Sequence, residues 1–242
     1  MIYFAKSEKN RFSYADWKTY FQENDARRLN VPFEGDVLTE RENELVFPSI
    51  RQFERGESSE GKHLKKAADV FAREIRDRDY ADCIRWFIKE ENAHSGYLKT
   101  YMDHYHVREQ ENVILDRVFR RLRKLSGLQC EVIVLVTAEM IALAYYDALR
   151  NATGSQALKA ICGQMLHDEV AHVTFQSYTL SHFRQKGYVK LLRILLMEVT
   201  SVATWISCRK VFAAGGWTFH RFLRENLCHL EQSMKLSERK FG

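Results

Sequence analysis

The stretch "MLHDEVAHVT", residues 165–174, places a glutamate and a histidine three residues apart in a segment with the apolar spacing of a buried helix. Glu169 and His172 continue the apolar series 158, 161/162, 165, and residues three or four apart share one helix face. The stretch "FIKEENAHSG", residues 87–96, repeats the pattern with Glu91 and His94 in the series 84, 87/88, 91, 94, 98. Both Glu-x-x-His pairs are therefore predicted to point into a helical core.

A glutamate precedes each of these pairs by nearly the same distance. Glu60 lies 31 residues before Glu91, and Glu139 lies 30 residues before Glu169. At about 1.5 Å per residue, such a separation leads up one helix, round a turn and back to the same height. Each half of the chain then contains a helix with an inward glutamate followed by a helix with an inward Glu-x-x-His. The sequence thus indicates an internal duplication in organisation.

The number of short motifs alone carries little weight. The chain contains 21 Glu and 9 His, so chance gives about one Glu-x-x-His, whereas three occur. Placement is more informative, because four carboxylates buried at one height repel each other and lose their hydration. Two divalent cations balance four carboxylates, and two histidines add neutral nitrogen ligands. Mixed oxygen and nitrogen donors suit iron or manganese, and the sequence therefore predicts a metal site.

Composition favours a helical, cytoplasmic protein. Only two prolines occur, Pro32 and Pro48. The net charge is +5, but the basic residues are scattered among acidic ones, so the charge is weak evidence for a nucleic-acid partner. Five cysteines without a C-x-x-C pair indicate a reduced chain. The start lacks an apolar signal-peptide core. The most apolar run, residues 191–206, contains Arg193 and Glu198, and is predicted to be a buried helix and not a membrane span.

Apolar periodicity predicts an all-α chain. A short helix is expected at "DWKTYF", one long helix from about residue 50 to 75, and a second over about 84–101. Further helices are expected after Gly127, before and after Gly187, and from about Trp217, with "AAGG" as a break. "ENVILDRVFRRLRKL" is a further helical candidate. The predicted organisation is a single domain, 1–242, with an N-terminal arm (1–49), a metal-binding core (50–185) and C-terminal helices (186–242).

These motifs resemble the ferritin-like di-iron or di-manganese carboxylate superfamily over about residues 50–185. "GESSEG", "AEMIALAYY" and "ICGQMLHDEVAHVTFQ" also resemble small bacterial ferritin-like proteins of poorly defined activity. The resemblance implies a ferritin-like four-helix bundle holding two Fe ions, with Mn or mixed Mn/Fe as alternatives. It implies the metal ligands Glu60, Glu91, His94, Glu139, Glu169 and His172. Among them Glu91, Glu139 and Glu169 are the expected catalytic carboxylates. Asp168 is expected to orient a ligand histidine, His94 above all.

Some assignments have alternatives. Glu57 lies one turn before Glu60 on the same stripe and can replace it as the first ligand. His63 completes the third Glu-x-x-His and is either an extra ligand, a group behind the ligands or a surface residue. Tyr145 and Tyr146 follow Glu139 by about two turns and are either core residues or an electron relay.

Three function classes remain after other signatures fail. The chain has no H-E-x-x-H, P-loop, G-x-S-x-G or EF-hand loop. The expected function is a non-haem di-iron oxidoreductase, a monooxygenase or oxidase using O2 and a small organic substrate. It would need a separate electron donor, because no reductase domain is present, and it is expected to be cytoplasmic, away from membranes, and a possible homodimer. The alternatives are iron storage or peroxide detoxification, and a metal-free helical interaction module.

Overall fold

The computed structural model describes residues 2, 4, 7–58, 61–109 and 127–238. These residues form eight α-helices and no strand, so the all-α prediction is confirmed. The helices are α1 (Tyr14–Asp25), α2 (Glu40–Glu57), α3 (Lys62–Glu74), α4 (Asp79–His104), α5 (Gly127–Ala152), α6 (Gln156–Ser181), α7 (Gly187–Ala214) and α8 (Phe219–Ser237). The helical candidate "ENVILDRVFRRLRKL" lies entirely outside the described residues.

The long helix expected from about residue 50 to 75 is wrong, because two helices occupy that range. Helix α2 begins earlier, at Glu40, and contains Pro48. Helix α3 begins after Gly61, whose φ of +60° is left-handed. A Cβ at Gly61 would lie 2.4 Å from Cδ1 of Ile88. The left-handed backbone therefore favours glycine at this position, and any larger residue would also require the side chain of Ile88 on α4 to move.

Contacts divide the chain into two compact units, each built from separate pieces of sequence. One unit comprises residues 11–31 and 50–131, and the other comprises residues 1–10, 32–49 and 132–242. The single-domain prediction and its three segments stay predictions.

In the unit formed by residues 11–31 and 50–131, α1 and α3 pack against α4. Tyr14, Trp17 and Phe21 are buried on one face of α1, as expected for residues spaced by three and four. The ring of Phe21 meets that of Phe87 on α4 edge to face, with 6.5 Å between centroids. Ser13 begins α1 with a capping box, which satisfies backbone donors at the start of the helix.

In the other unit, α6 and α7 both pack against α8. Phe212 of α7 lies 4.5 Å from Phe222 of α8 between ring centroids and stacks on Trp205. Where α7 ends, Trp217 donates from Nε1 to Oδ2 of Asp147 on α5 over 3.1 Å. The "AAGG" break is confirmed, since α7 ends at Ala214.

The segment before α2 holds the turn between α5 and α6. Asp36 accepts hydrogen bonds from Oγ of Ser155 at 2.6 Å and from the backbone N of Ala157 at 3.2 Å. Glu42 accepts from the backbone N of Gly154 at 2.7 Å. Ser155 itself caps α6 by accepting from the backbone N of Leu158. These contacts fix the start of the helix that carries Glu169 and His172.

Two of the described helices, α5 and α7, are long and apolar enough to cross a membrane by length and composition. The most apolar window of α5 is 83% buried, as in the core helix of a soluble protein. The corresponding window of α7 is only 33% buried, so the prediction that residues 191–206 form a buried helix is wrong. Arg193 is buried while Leu192 and Leu195 are exposed. Apolar periodicity gives the width of a stripe but not the direction in which it faces.

Candidate metal centre

Helix α6 carries Glu169 and His172 into the interior of the protein. Their side chains are 1% and 0% exposed, and Nδ1 of His172 lies 3.6 Å from Oε2 of Glu169. This distance is longer than a hydrogen bond. The hydroxyls of Thr174 and Ser177 on the same helix donate to the backbone carbonyls of Val170 and Val173. Backbone carbonyls thus satisfy these two hydroxyls.

Helix α4 presents the second predicted pair in the same way. His94 is fully buried and Glu91 is 14% exposed, with 3.7 Å between Nδ1 and Oε1. His94 lies on the apolar face of α4 with Phe87 and Leu98. The inward direction predicted from the apolar series is therefore present in the structure for both histidines.

Glu91, His94, Glu169 and His172 form a group that can hold a metal ion. Each offers one donor atom, and these atoms all lie within 4.8 Å of one another. Two carboxylates and two imidazoles provide hard oxygen and borderline nitrogen donors, a set that fits iron, manganese or zinc. A bound cation would also offset the cost of burying two carboxylates.

Of the two glutamates predicted on the preceding helices, the structure describes Glu139 but not Glu60. Glu139 is buried, at 4% exposure, on α5. Glu60 lies outside the described residues, and its alternative, Glu57, is half-buried in the last turn of α2. The assignment of Glu60 and Glu139 as ligands stays a prediction.

Asp168 has contacts on its own helix. It is buried and accepts from Nε2 of Gln164 at 3.0 and 2.9 Å, and Nδ1 of His167 lies 3.0 Å from its Oδ1. The two neighbours hold the carboxylate in a fixed orientation. Its expected role in orienting His94 stays a prediction.

Sequence reasoning overlooked a buried carboxylate on α2, that of Glu54. It is 5% exposed and accepts from Oγ of Ser95, the residue after His94, over 2.8 Å. Burial raises the pKa of Glu54, and the bond from Ser95 acts in the opposite direction. Glu54 lies three residues before Glu57, on the same side of α2. Its place in the apolar series 50, 54 was a signal available in the sequence.

His63 also has a partner that the sequence did not indicate. Its Nδ1 lies 2.8 Å from Oε2 of Glu131, a buried residue in the first turns of α5. The His63 side chain is 47% exposed, which agrees with the prediction of a surface residue. The two tyrosines after Glu139 are fully buried, and Tyr145 donates to Oγ of Ser49 over 3.0 Å. A packed core role thus fits Tyr145.

Another overlooked residue is Gln176, one turn beyond His172 on α6. It is fully buried, and neither its Oε1 nor its Nε2 has a hydrogen-bond partner in the part of the chain that the structure describes. Residues 169, 172 and 176 share one face of the helix. A buried amide without partners is costly, so it indicates a position where a further polar group can bind.

Comparison with known proteins adds no relative. No protein-family model matches the chain, and neither does a curated protein or a solved structure. The buried Glu/His group is therefore the observation on which function has to be argued.

Proposed function

We propose that this protein is a non-haem di-metal oxidoreductase of the ferritin-like type, which uses O2 to oxidise a small organic substrate. The observation that supports it is the buried group of Glu91, His94, Glu169 and His172, with donor atoms within 4.8 Å of one another. In the ferritin-like pattern each Glu-x-x-His pair is joined by one further glutamate. The buried Glu139 and Glu60 are proposed for those positions, which completes a site for two ions.

The residues have separate parts in the proposed reaction. The carboxylates and imidazoles hold the ions, and Asp168, fixed by Gln164 and His167, is proposed to orient the ligand His94. Two bound iron ions would supply the electrons that reduce dioxygen. Hydroxylation then balances as R–H + O2 + 2 electrons + 2 protons giving R–OH + H2O, and a separate electron-transfer protein supplies the two electrons. The amide of Gln176 can donate to and accept from a polar group of the substrate.

Metal analysis tests the ligand assignment. Protein reconstituted with Fe(II) without oxygen should approach two ions per chain, and the double variant Glu169→Ala/His172→Ala should lose most of this binding. A matched control is Glu225→Ala/His229→Ala, which removes another buried carboxylate and imidazole, from α8. The control should keep both ions. Full metal content in the Glu169/His172 variant would disprove the site.

The glutamate before the first Glu-x-x-His can be assigned by the same measurement. Glu60→Ala should lose about one ion per chain, while Glu57→Ala and Glu54→Gln should keep two. Loss in Glu57→Ala or Glu54→Gln, with Glu60→Ala unaffected, would move the ligand to α2 and leave the remaining site unchanged.

Reaction with oxygen separates the function classes. The Fe(II) protein should consume O2 in a single round that stops near two oxidised irons per chain, measured by an oxygen electrode and an iron-loading titration. Continued uptake of many irons per chain would favour storage. Rapid peroxide consumption without an organic substrate would favour detoxification. A chain that binds no transition metal would be a helical interaction module instead.

A further inference from the structure

The outward face of α7 is apolar along most of its length. Tyr188, Val199 and Ile206 are 67%, 68% and 67% exposed. The exposed apolar side chains of this helix are Tyr188, Leu191, Leu192, Ile194, Leu195, Val199, Val202 and Ile206. Single exposed apolar residues are ordinary on a protein surface, but a contiguous stripe of this length marks a binding surface.

The inward face of α7 includes buried polar side chains, and their hydrogen bonds fix the helix in this orientation. Arg193 is 1% exposed and donates from Nη2 to Oγ of Ser233 at 2.6 Å and from Nη1 to Oγ of Ser237 at 3.3 Å. About two turns further along α7, Nδ2 of Asn226 on α8 donates to Oγ of Ser201 over 3.1 Å. If α7 rotated to bury its apolar stripe, the guanidinium would lose these partners. The stripe therefore stays on the outside of the protein, where a partner can cover it.

The spacing of the stripe fits another helix. Residues 188, 192, 195, 199, 202 and 206 follow one another at intervals of four and three, which is the seam of a left-handed helix pair crossing at about 20°. The series is symmetric about residue 197. In an antiparallel pair, Leu192 would face Val202 and Leu195 would face Val199. Larger side chains then meet smaller ones, as good packing requires.

The exposed area is sufficient for a stable pair. The exposed fractions of the eight side chains correspond to about four whole residues, or on the order of 800 Å² at roughly 200 Å² for each large side chain. A standard protein interface buries about 800 Å² on each partner. A self-complementary patch of this size is what a two-fold symmetric dimer uses.

We propose that α7 forms the interface of a two-fold symmetric homodimer, in which it packs antiparallel against α7 of a second copy of this chain. A lipid surface is a poorer fit for the same stripe. Glu198 is exposed in the middle of the helix next to Val199, and a carboxylate at that depth is costly in a bilayer. The inward face of α7, which carries its buried polar side chains, is packed against α8 instead of being available to headgroups. The dimer does not depend on bound metal.

Salt dependence distinguishes the two occupants. Exposed basic residues flank both ends of the stripe: Arg184 and Lys186 before it, Arg209 and Lys210 after it. Antiparallel packing brings these like charges together, so the dimer should become tighter when salt screens them. Binding to an anionic membrane would weaken with salt instead.

Analytical ultracentrifugation of the full chain is the test. The wild type should sediment as a dimer of the 28.5 kDa chain at micromolar concentration, more completely at 500 mM than at 50 mM NaCl. Val199→Glu should raise the dimer dissociation constant at least tenfold. Ser207→Gln, an uncharged change on α7 but off the stripe, should leave it unchanged. Helical circular dichroism and Fe(II) binding should be the same in all three proteins.

The antiparallel register has its own variant. In Leu195→Lys/Val199→Glu, each lysine should face a glutamate of the other copy, so dimerisation should recover relative to either single variant. In a parallel pair, lysine would face lysine and no recovery would occur. A wild type that stays monomeric at about 100 μM, or one that binds anionic phosphatidylglycerol vesicles more tightly at low salt, would overturn the proposal.

Discussion

Replacing Gly215 by alanine should destabilise the protein strongly. Gly215 follows α7 and lies against the backbone of α5. A Cβ there would be 2.3 Å from the carbonyl oxygen of Ala148, 2.8 Å from its Cα and 2.9 Å from its carbonyl carbon. Ordinary contacts begin at 3.4 Å, so the two backbones have to separate by about 1 Å. Because the atoms in the way belong to the backbone of a helix, no side-chain rotation relieves the overlap.

The size of the effect follows from this geometry. Overpacking a core costs about 1–3 kcal/mol and sometimes more, and a clash with backbone belongs at the upper end. We expect Gly215→Ala to lower the free energy of unfolding by about 3 kcal/mol or more, a large part of the roughly 5–15 kcal/mol available to a domain. At about 2–4 °C per kcal/mol for a chain of this size, the melting temperature should fall by about 6–12 °C.

Gly163→Ala is the matched control. Gly163 lies inside α6, and a Cβ at this position meets nothing within 4 Å. Alanine should therefore stabilise the protein by about 0.5–1 kcal/mol, since glycine is a poor residue inside a helix. Urea unfolding followed by circular dichroism measures both variants. A loss below about 1 kcal/mol for Gly215→Ala would refute the close approach of α5 and the end of α7.

The other predictions concern buried ionisable groups. Burial lowers the pKa of His229 from 6.5 to about 4, so between these values the unfolded chain binds a proton that the folded one does not. The free energy of unfolding of the metal-free protein should thus fall by about 3 kcal/mol as the pH drops from about 6.5 to 4. In His229→Leu, the free energy of unfolding measured with urea should change less over this pH range. An equal pH dependence in both proteins would contradict the assignment. Burial also raises the pKa of three thiols, which should be inert to a disulfide reagent at pH 8 in the folded protein. They are Cys83, Cys162 and Cys208. At most two of the five thiols should react before denaturant is added, and fast reaction of three or more would be the adverse result.

Part of the fold could be predicted from the sequence because local signals coincide with helix ends. Gly127 and the polar turn "NATGS" delimit α5, and "AAGG" ends α7. The split between α2 and α3 was missed because helical spacing continues across Gly61 in the sequence, although the left-handed backbone at this glycine interrupts the helix. A single glycine in a periodic segment does not distinguish a tolerated residue from a break.

The candidate site was predictable to a similar degree. The two Glu-x-x-His pairs emerged because each histidine continues an apolar series, and both histidines are fully buried. Glu54 and Gln176 were missed, since a lone polar residue on an apolar stripe is usually solvated at its edge. The direction of α7 was predicted wrongly for a different reason. An apolar stripe made to face a partner has the same periodicity as one made to face the core.

One of the two compact units combines residues 1–10, 32–49 and 132–242, and this has a consequence for synthesis on the ribosome. Residues 2 and 4 contact α8: Gln232 donates to the carbonyl of Ile2 over 3.1 Å, and the ring of Phe4 lies 5.9 Å from that of His229. The unit of residues 11–31 and 50–131 has all its pieces once half of the chain has emerged, whereas the other waits for α8. During that interval the surfaces of α5 and α6 that are buried in the folded protein are exposed to solvent or to chaperones. Translation speed over the codons for residues 132–242 should therefore influence the yield of folded protein more than speed over the codons for residues 50–131.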